Sequence, residues 1–140
     1  MTPEFTLDPP LAAGSVTVSD LSLCQLRLMN DARFPWLLLV PRRDGLRELF
    51  DLPAFDQAQV LIDLNRAAAA LQAVATPDKL NIGALGNIVP QLHIHLIARF
   101  VGDPAWPGPV WGQGSAVAYT EEALQAQLAA LRAALEALDA

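Results

Sequence analysis

Between Pro35 and Pro41 the chain reads Trp-Leu-Leu-Leu-Val, an unbroken apolar run bounded by prolines. Side chains alternate across a strand, so such a run reaches the interior only where both faces of a sheet are covered. It is read as a central strand. The preceding segment, Leu21–Met29, alternates instead: Leu26 and Leu28 fall on one face, Gln25 and Arg27 on the other. That pattern fits a half-buried strand. Asn30, Asp31, Ala32 and Arg33 supply the turn between the two, since Asn and Asp satisfy their own backbone in turns. The two segments should form a hairpin.

Downstream, Pro53 suits the first turn of a helix, where its missing N–H is not needed. Val60, Leu61, Leu64, Ala67, Ala68, Leu71 and Val74 then recur at helical spacing, and Pro77 sets the limit of that helix. Lys79–Leu85 alternates, with Leu80, Ile82 and Ala84 opposite Asn81 and Gly83. After the short connection Gly86–Pro90, Gln91–Phe100 alternates again. Residues 102–119, rich in Pro, Gly and Trp at their start, read as a loop. Thr120 is an N-cap candidate for a C-terminal helix over 120–139, with Glu121 and Glu122 in the first turn, where negative charge is favourable. Leu124, Leu128, Leu131, Leu135 and Leu138 form one stripe of that helix. Residues 1–19, rich in Pro and small side chains, are expected to wrap the surface. Strands in adjacent pairs with a helix between them specify an α+β fold with a mainly antiparallel sheet. With no repeat or linker in the chain, residues 1–140 are read as a single domain.

The bulk numbers exclude several classes of function. The 140 residues carry a net charge of −6, with a single lysine and eight arginines. A protein held on long nucleic acid needs a basic stripe, which this chain lacks. A small phosphate ligand needs only backbone N–H groups and a local arginine. No stretch approaches the ~20 apolar residues of a membrane span. The first ten residues have no basic group and no apolar core, so they do not read as a secretory signal. The single cysteine, Cys24, cannot form an internal disulfide and reads as a small buried hydrophobe. A cytoplasmic protein follows.

Chemistry concentrates in Gln91-Leu-His-Ile-His-Leu-Ile97, which contains both histidines of the chain. On a strand, Gln91, His93 and His95 share one face, roughly 6.5–7 Å apart at successive positions. Leu92, Ile94 and Leu96 anchor the other face to the core. If Lys79–Leu85 pairs with this strand, Asn81 and Gly83 fall on the histidine face, the glycine leaving space beside the imidazoles. Taken alone, the histidines could be satisfied structural residues, or half of a metal site that lacks a third ligand.

The segment from Gln91 to Ile97 resembles the histidine triad motif, in which three histidines alternate with hydrophobic residues. Leu38-Leu-Val-Pro-Arg42 is similar to the family's strand ending in Pro and a basic residue, and the helix, the Asn81 strand and the turn before the motif follow in the family's order. The resemblance spans roughly Leu21 to Arg99. It implies a histidine triad fold, a homodimer, and an enzyme whose middle histidine, here His93, attacks a nucleotide α-phosphate to give a covalent nucleotidyl-histidine that water then cleaves. A neutral imidazole, with an unperturbed pKa of about 6.5, is a competent nucleophile near pH 7. By the same resemblance His95 contacts phosphate or orients the site, Asn81 and Asn87 touch phosphate or ribose, and Asn30 and Asp31 lie where related proteins bind ribose. The implied substrates are dinucleoside polyphosphates or nucleoside phosphoramidates. No cofactor or metal is implied.

Two positions depart from the pattern. Gln91 stands in place of the first histidine and cannot carry charge or shuttle a proton. Ile88 stands where many members have Ser or Thr near the leaving group. Both bear on leaving-group protonation, and they motivate an alternative, a nucleotide-binding regulatory module with little or no catalysis. Trp106 and Trp111 are read as loop packing, with a fold over the nucleotide base or a dimer contact as the alternatives.

Overall fold

The structure is a computed structural model and describes residues 5–139. Five strands form one antiparallel sheet: β1 (Ser15–Asp20), β2 (Cys24–Met29), β3 (Trp36–Pro41), β4 (Lys79–Gly83) and β5 (Ile94–Arg99), in the order β1-β2-β3-β5-β4. The α+β class and the antiparallel sheet expected from the sequence are both present. The helices are α1 (Pro9–Gly14), α2 (Ala54–Ala75) and α3 (Glu121–Leu138). Among the described residues, no helix is long and apolar enough to cross a membrane.

The Trp36–Pro41 run lies at the centre of the sheet, and all six residues are buried. Leu37 and Leu39 face α2 and α3, together with Leu26, Leu28, Ile94, Leu96 and Ala98. Trp36, Leu38 and Val40 face the opposite way, where Leu11 of α1, Phe34, Ile97 and Val110 complete a second, smaller core. Loops and the N-terminal segment therefore clothe the face that α2 and α3 leave open. The β2–β3 hairpin forms with Leu26 opposite Leu39. The second hairpin, β4–β5, joins it through the β3–β5 pair, which sets Leu38 opposite His95.

Helix α2 begins directly after Pro53 and ends at Thr76, before Pro77. At α3, Thr120 caps the N-terminus by accepting a hydrogen bond from the Ala123 N–H. Leu128, Leu131 and Leu135 bury the stripe. Cys24 is fully buried, and burial, with the Asp63 carboxylate beside it, pushes its thiol up to about 12.

Three local expectations change. Within the first nineteen residues, α1 and the edge strand β1 are regular elements, with β1 paired to β2. Residues 1–4 lie outside the described residues. Arg27, expected on a solvated face, is buried, because Ser15, Thr17 and Gln25 of the neighbouring backbone and side chains accept its N–H groups. Strand β5 begins at Ile94 rather than Gln91. The reason lies in how residues 91–93 spend their hydrogen bonds.

Candidate functional site

His93 and His95 line a cavity of about 600 Å³ on the face of the sheet opposite α2 and α3. His95 belongs to β5 and His93 immediately precedes it, so the Ile94 and Leu96 side chains anchored in the main core fix both rings from behind. Both histidines are buried, and their ring centroids are 5.0 Å apart in an edge-to-face arrangement.

Each ring is held in a different tautomer. The Nδ1 atom of His93 lies 2.7 Å from the carbonyl oxygen of Gln91. A carbonyl only accepts, so in the neutral ring Nδ1 carries the proton and Nε2 keeps its lone pair. In His95 the order is reversed. The indole N–H of Trp36 donates to His95 Nδ1 at 3.0 Å. An indole only donates, so the His95 proton resides on Nε2. Burial, reinforced by the neighbouring His93, lowers the His95 pKa to about 4. The site therefore presents one imidazole nitrogen with a lone pair and one with a proton, side by side.

Besides Arg33, Trp36 and Ala116, four stretches of the chain build the cavity wall around the histidines. Ala13 and Gly14 end α1, Met29–Asp31 leave β2, Leu85–Val89 form the connection before the histidines, and Val110–Gly114 belong to the long loop. Trp111 packs edge-on against His95 at 5.3 Å and against Trp36 at 6.5 Å. Asp31 is buried on this wall, and Arg33 binds it through both guanidinium and backbone N–H groups. Burial raises the Asp31 carboxyl, but these hydrogen bonds from Arg33, with one from Val117, outweigh it and leave the pKa below the usual value.

The structure brings together His93, His95, Asn30, Asp31 and Asn87 on one cavity. Three of the residues singled out in the sequence lie elsewhere. The Gln91 side chain is turned to the N-terminal segment, accepting from the Asp8 N–H at 2.8 Å and donating to the Thr6 carbonyl at 2.9 Å. Only its main-chain carbonyl serves the histidines. Asn81 shares the histidine face of the sheet, opposite Ile97, but its side-chain oxygen accepts from Arg99 at 2.8 Å, outside the cavity lining. Arg99 is itself buried and paired with Asp103. Hydrogen bonds from that guanidinium hold the Asp103 carboxyl down at about 2. Gly83 lies on the histidine face as expected, opposite His95, yet the space it leaves is filled by Trp111: a Cβ at position 83 would lie 3.0 Å from the indole.

Trp36, Arg33 and Trp111 were not assigned to the site from the sequence. Trp36 reads there as one more apolar residue of a buried strand. The available signal is its indole N–H, which needs a partner when buried; the histidine strand, once paired with β3, supplies it. Arg33 and Trp111 reach the cavity from loops, with no periodic pattern to betray them.

A covered antiparallel sheet thus carries two oppositely protonated imidazoles beside a largely apolar cavity, an arrangement that offers a small ligand one nitrogen lone pair and one N–H donor. The HIT domain family model matches residues 12–102, and the chain belongs to the histidine triad family. A histidine triad protein from Sinorhizobium meliloti is 50% identical, with a TM-score of 0.89 over 91% of this chain and 94% of that one. One from Bradyrhizobium japonicum is 44% identical, with a TM-score of 0.92 over 95% and 99%. A third, from Marinobacter aquaeolei, is 44% identical, with a TM-score of 0.92 over 96% and 98%. No curated protein matches the chain in sequence.

Proposed function

We propose that the protein is a nucleotide hydrolase or nucleotidyl transferase that cleaves dinucleoside polyphosphates or nucleoside phosphoramidates at the α-phosphate, with His93 as nucleophile. The family supports a nucleotide-binding, hydrolase or transferase role. The observation that carries the finer reading is the hydrogen bond between His93 Nδ1 and the Gln91 carbonyl, which leaves the Nε2 lone pair for attack.

The Nε2 lone pair forms a bond to the α-phosphorus as the bond to the leaving oxygen or nitrogen breaks, its electron pair departing with the leaving group, which takes its proton from solvent because Gln91 has none to give. The imidazole becomes cationic, and the Gln91 carbonyl on Nδ1–H stabilises that charge. His95, neutral and protonated on Nε2, donates to a phosphoryl oxygen. Water then attacks phosphorus and gives up a proton to solvent, the P–N bond breaks with its electron pair returning to His93 Nε2, and a nucleoside monophosphate is released. Asn30, Asp31 and Asn87 stand on the cavity wall to meet ribose and phosphate. Asn81 acts at a distance by holding Arg99, and Gly83 by admitting Trp111. Such a reaction suits a cytoplasmic protein.

The enzyme works as a homodimer in this reading. Strand β4 is at the sheet edge, and among the described residues no strand pairs with its outer side. Half-exposed Ile82 on it shares an apolar cleft of about 300 Å³ with Leu49 and Leu61. A second copy is the occupant that fits a flat apolar edge of this kind.

The test is intact mass after brief incubation with a diadenosine polyphosphate, quenched at mildly alkaline pH. An adduct of one nucleotidyl group that maps to His93, and is lost in His93→Ala, is the expected result. Nucleotide binding with neither adduct nor product would assign the protein to the regulatory, non-catalytic alternative.

A further inference from the structure

We infer that Gln91 is a positioning residue for His93, clasping the extended segment Thr6–Asp8 and thereby holding still the carbonyl that fixes the His93 tautomer. The effect of Gln91 on rate rests on the reading of His93 as nucleophile; its effect on the His93 tautomer does not.

The peptide units of residues 91–93 lie outside the sheet ladder, whose first β5 partner is Ile94, opposite Leu39. An unladdered carbonyl is free to rotate unless something else fixes its plane. Here the fixing is done from two sides. The Leu92 N–H donates to the Leu46 carbonyl at 3.0 Å. The Gln91 amide makes a two-bond bridge to Thr6 O and Asp8 N, the i and i+2 groups that a neighbouring strand would present. The other end of that segment is tied down in turn, since the Thr6 N–H donates to Asp44 at 3.1 Å. The same segment continues into α1, whose last residues, Ala13 and Gly14, form part of the cavity wall.

The bridge needs an amide. Its C=O and N–H point from one carbon to the same side and can face one acceptor and one donor on a single backbone edge. An imidazole has one donor and one acceptor too, but they diverge across the ring and cannot meet both groups at once. The amide orientation is also determined: turned over, it would set oxygen against the Thr6 carbonyl and N–H against the Asp8 N–H. Glutamine at the position of the first motif histidine carries no proton, but its amide bridges Thr6 and Asp8. It adds a strut.

The strut can be cut from its far side without touching residue 91. Asp8 has φ −59° and ψ 136°, a conformation proline adopts. Asp8→Pro therefore removes the N–H that Gln91 accepts, while Asp8→Ala keeps it and serves as the control. Two readouts are taken on the full chain: the ¹⁵N shifts of the His93 ring, which distinguish Nδ1–H from Nε2–H, and the single-turnover rate of adduct formation from a diadenosine polyphosphate. Asp8→Pro and Gln91→Leu should each lower the Nδ1–H population and slow adduct formation about tenfold, with the pH–rate profile keeping its shape. Combined, they should cost no more than either alone, as expected for two ends of one strut. Asp8→Ala should match the parent. Should Asp8→Pro fail to fold, Asp44→Ala frees the Thr6 end of the same segment and should slow the step by about threefold.

The inference is overturned if Gln91→Leu slows adduct formation while the cut at Asp8 leaves ring shifts and rate unchanged, for then Gln91 acts on substrate directly. It is equally overturned if both variants leave the His93 ring signals as in the parent. An adduct that persists in His93→Ala would instead remove the nucleophile reading, and the ring shifts would still decide the role of Gln91.

Discussion

Two imidazoles of the same chemical type carry their protons on different nitrogens here because each meets a partner with only one hydrogen-bonding option. Trp36 can only donate, so the His95 proton is committed to Nε2. Trp36→Phe keeps the apolar ring but leaves a buried acceptor on His95 unpaired, at a cost of about 1–3 kcal/mol. The unpaired Nδ1 then competes for the proton, and the group offered to the phosphate changes from donor to acceptor. The expected result is a roughly tenfold fall in kcat with KM little changed, read from steady-state hydrolysis. The same burial has a consequence for stability. In the folded chain His95 titrates at about 4, whereas unfolded histidine takes up its proton near 6.5. Between those values the unfolded chain binds the extra proton, so stability rises with pH across the window, is complete above about pH 6.5 and is lost as pH falls toward 4. Urea unfolding at pH 7.5 and 4.5 should differ by roughly 2–3 kcal/mol from this group. His95→Gln should remove that share of the difference.

At the scale of elements, the site depends on how closely the long loop approaches the sheet, and β4 permits that approach only at Gly83. A side chain there would meet Trp111 at its first carbon. Gly83→Val should push the indole away from His95, weaken nucleotide binding about tenfold by calorimetry, and cost about 1–3 kcal/mol from overpacking. Adding Trp111→Leu should return much of the stability but not the affinity. The elements themselves were largely readable. Alternation in Lys79–Leu85 and around Ile94 identifies both strands, their faces and their pairing, because period-two burial is a local property. The ends of α2 and α3 follow from Pro53, Pro77 and Thr120. Strand β1 escaped because Ser15, Thr17, Ser19 and Asp20 leave only Val16 and Val18 to mark it, and a bulge between Thr17 and Ser19 breaks its alternation of burial. The Gln91–His93 segment was misassigned as strand because its alternation is genuine while its hydrogen bonds go to Thr6, Asp8 and its own ring. Thr6 and Asp8 are more than eighty residues away in sequence, beyond the reach of any local pattern. The Trp36–His95 bond was hidden for the same reason: it exists only through the β3–β5 register.

For the whole molecule, the sheet is protected unequally. One edge, β1, is flanked by α1 and crossed by Arg132, which donates from α3 to the Thr17 and Val18 carbonyls. The other edge, β4, presents Ile82 over half exposed, with Leu61 of α2 across the cleft and no basic or bulged residue beyond Lys79 to discourage pairing. Chains that remain monomeric blunt such an edge with charge. This one places apolar Ile82 beside the strand's central Asn81 and continues the apolar surface onto a helix, a composition suited to a self-complementary interface about a two-fold axis. Joining two copies there would extend the sheet and back the two β5 strands, so each His93 would be held by a larger rigid body. Sedimentation of the parent protein should give twice the 15.0 kDa of the chain. Ile82→Lys, which keeps strand length while charging the edge, should give the single-chain mass. If the dimer also stiffens the catalytic strand, the monomeric variant should form its nucleotidyl adduct more slowly, by about three- to tenfold, at an unchanged pH optimum. A monomeric parent protein would refute the interface, whereas a monomeric variant with the parent's rate would confine it to assembly and leave each protomer complete in its chemistry.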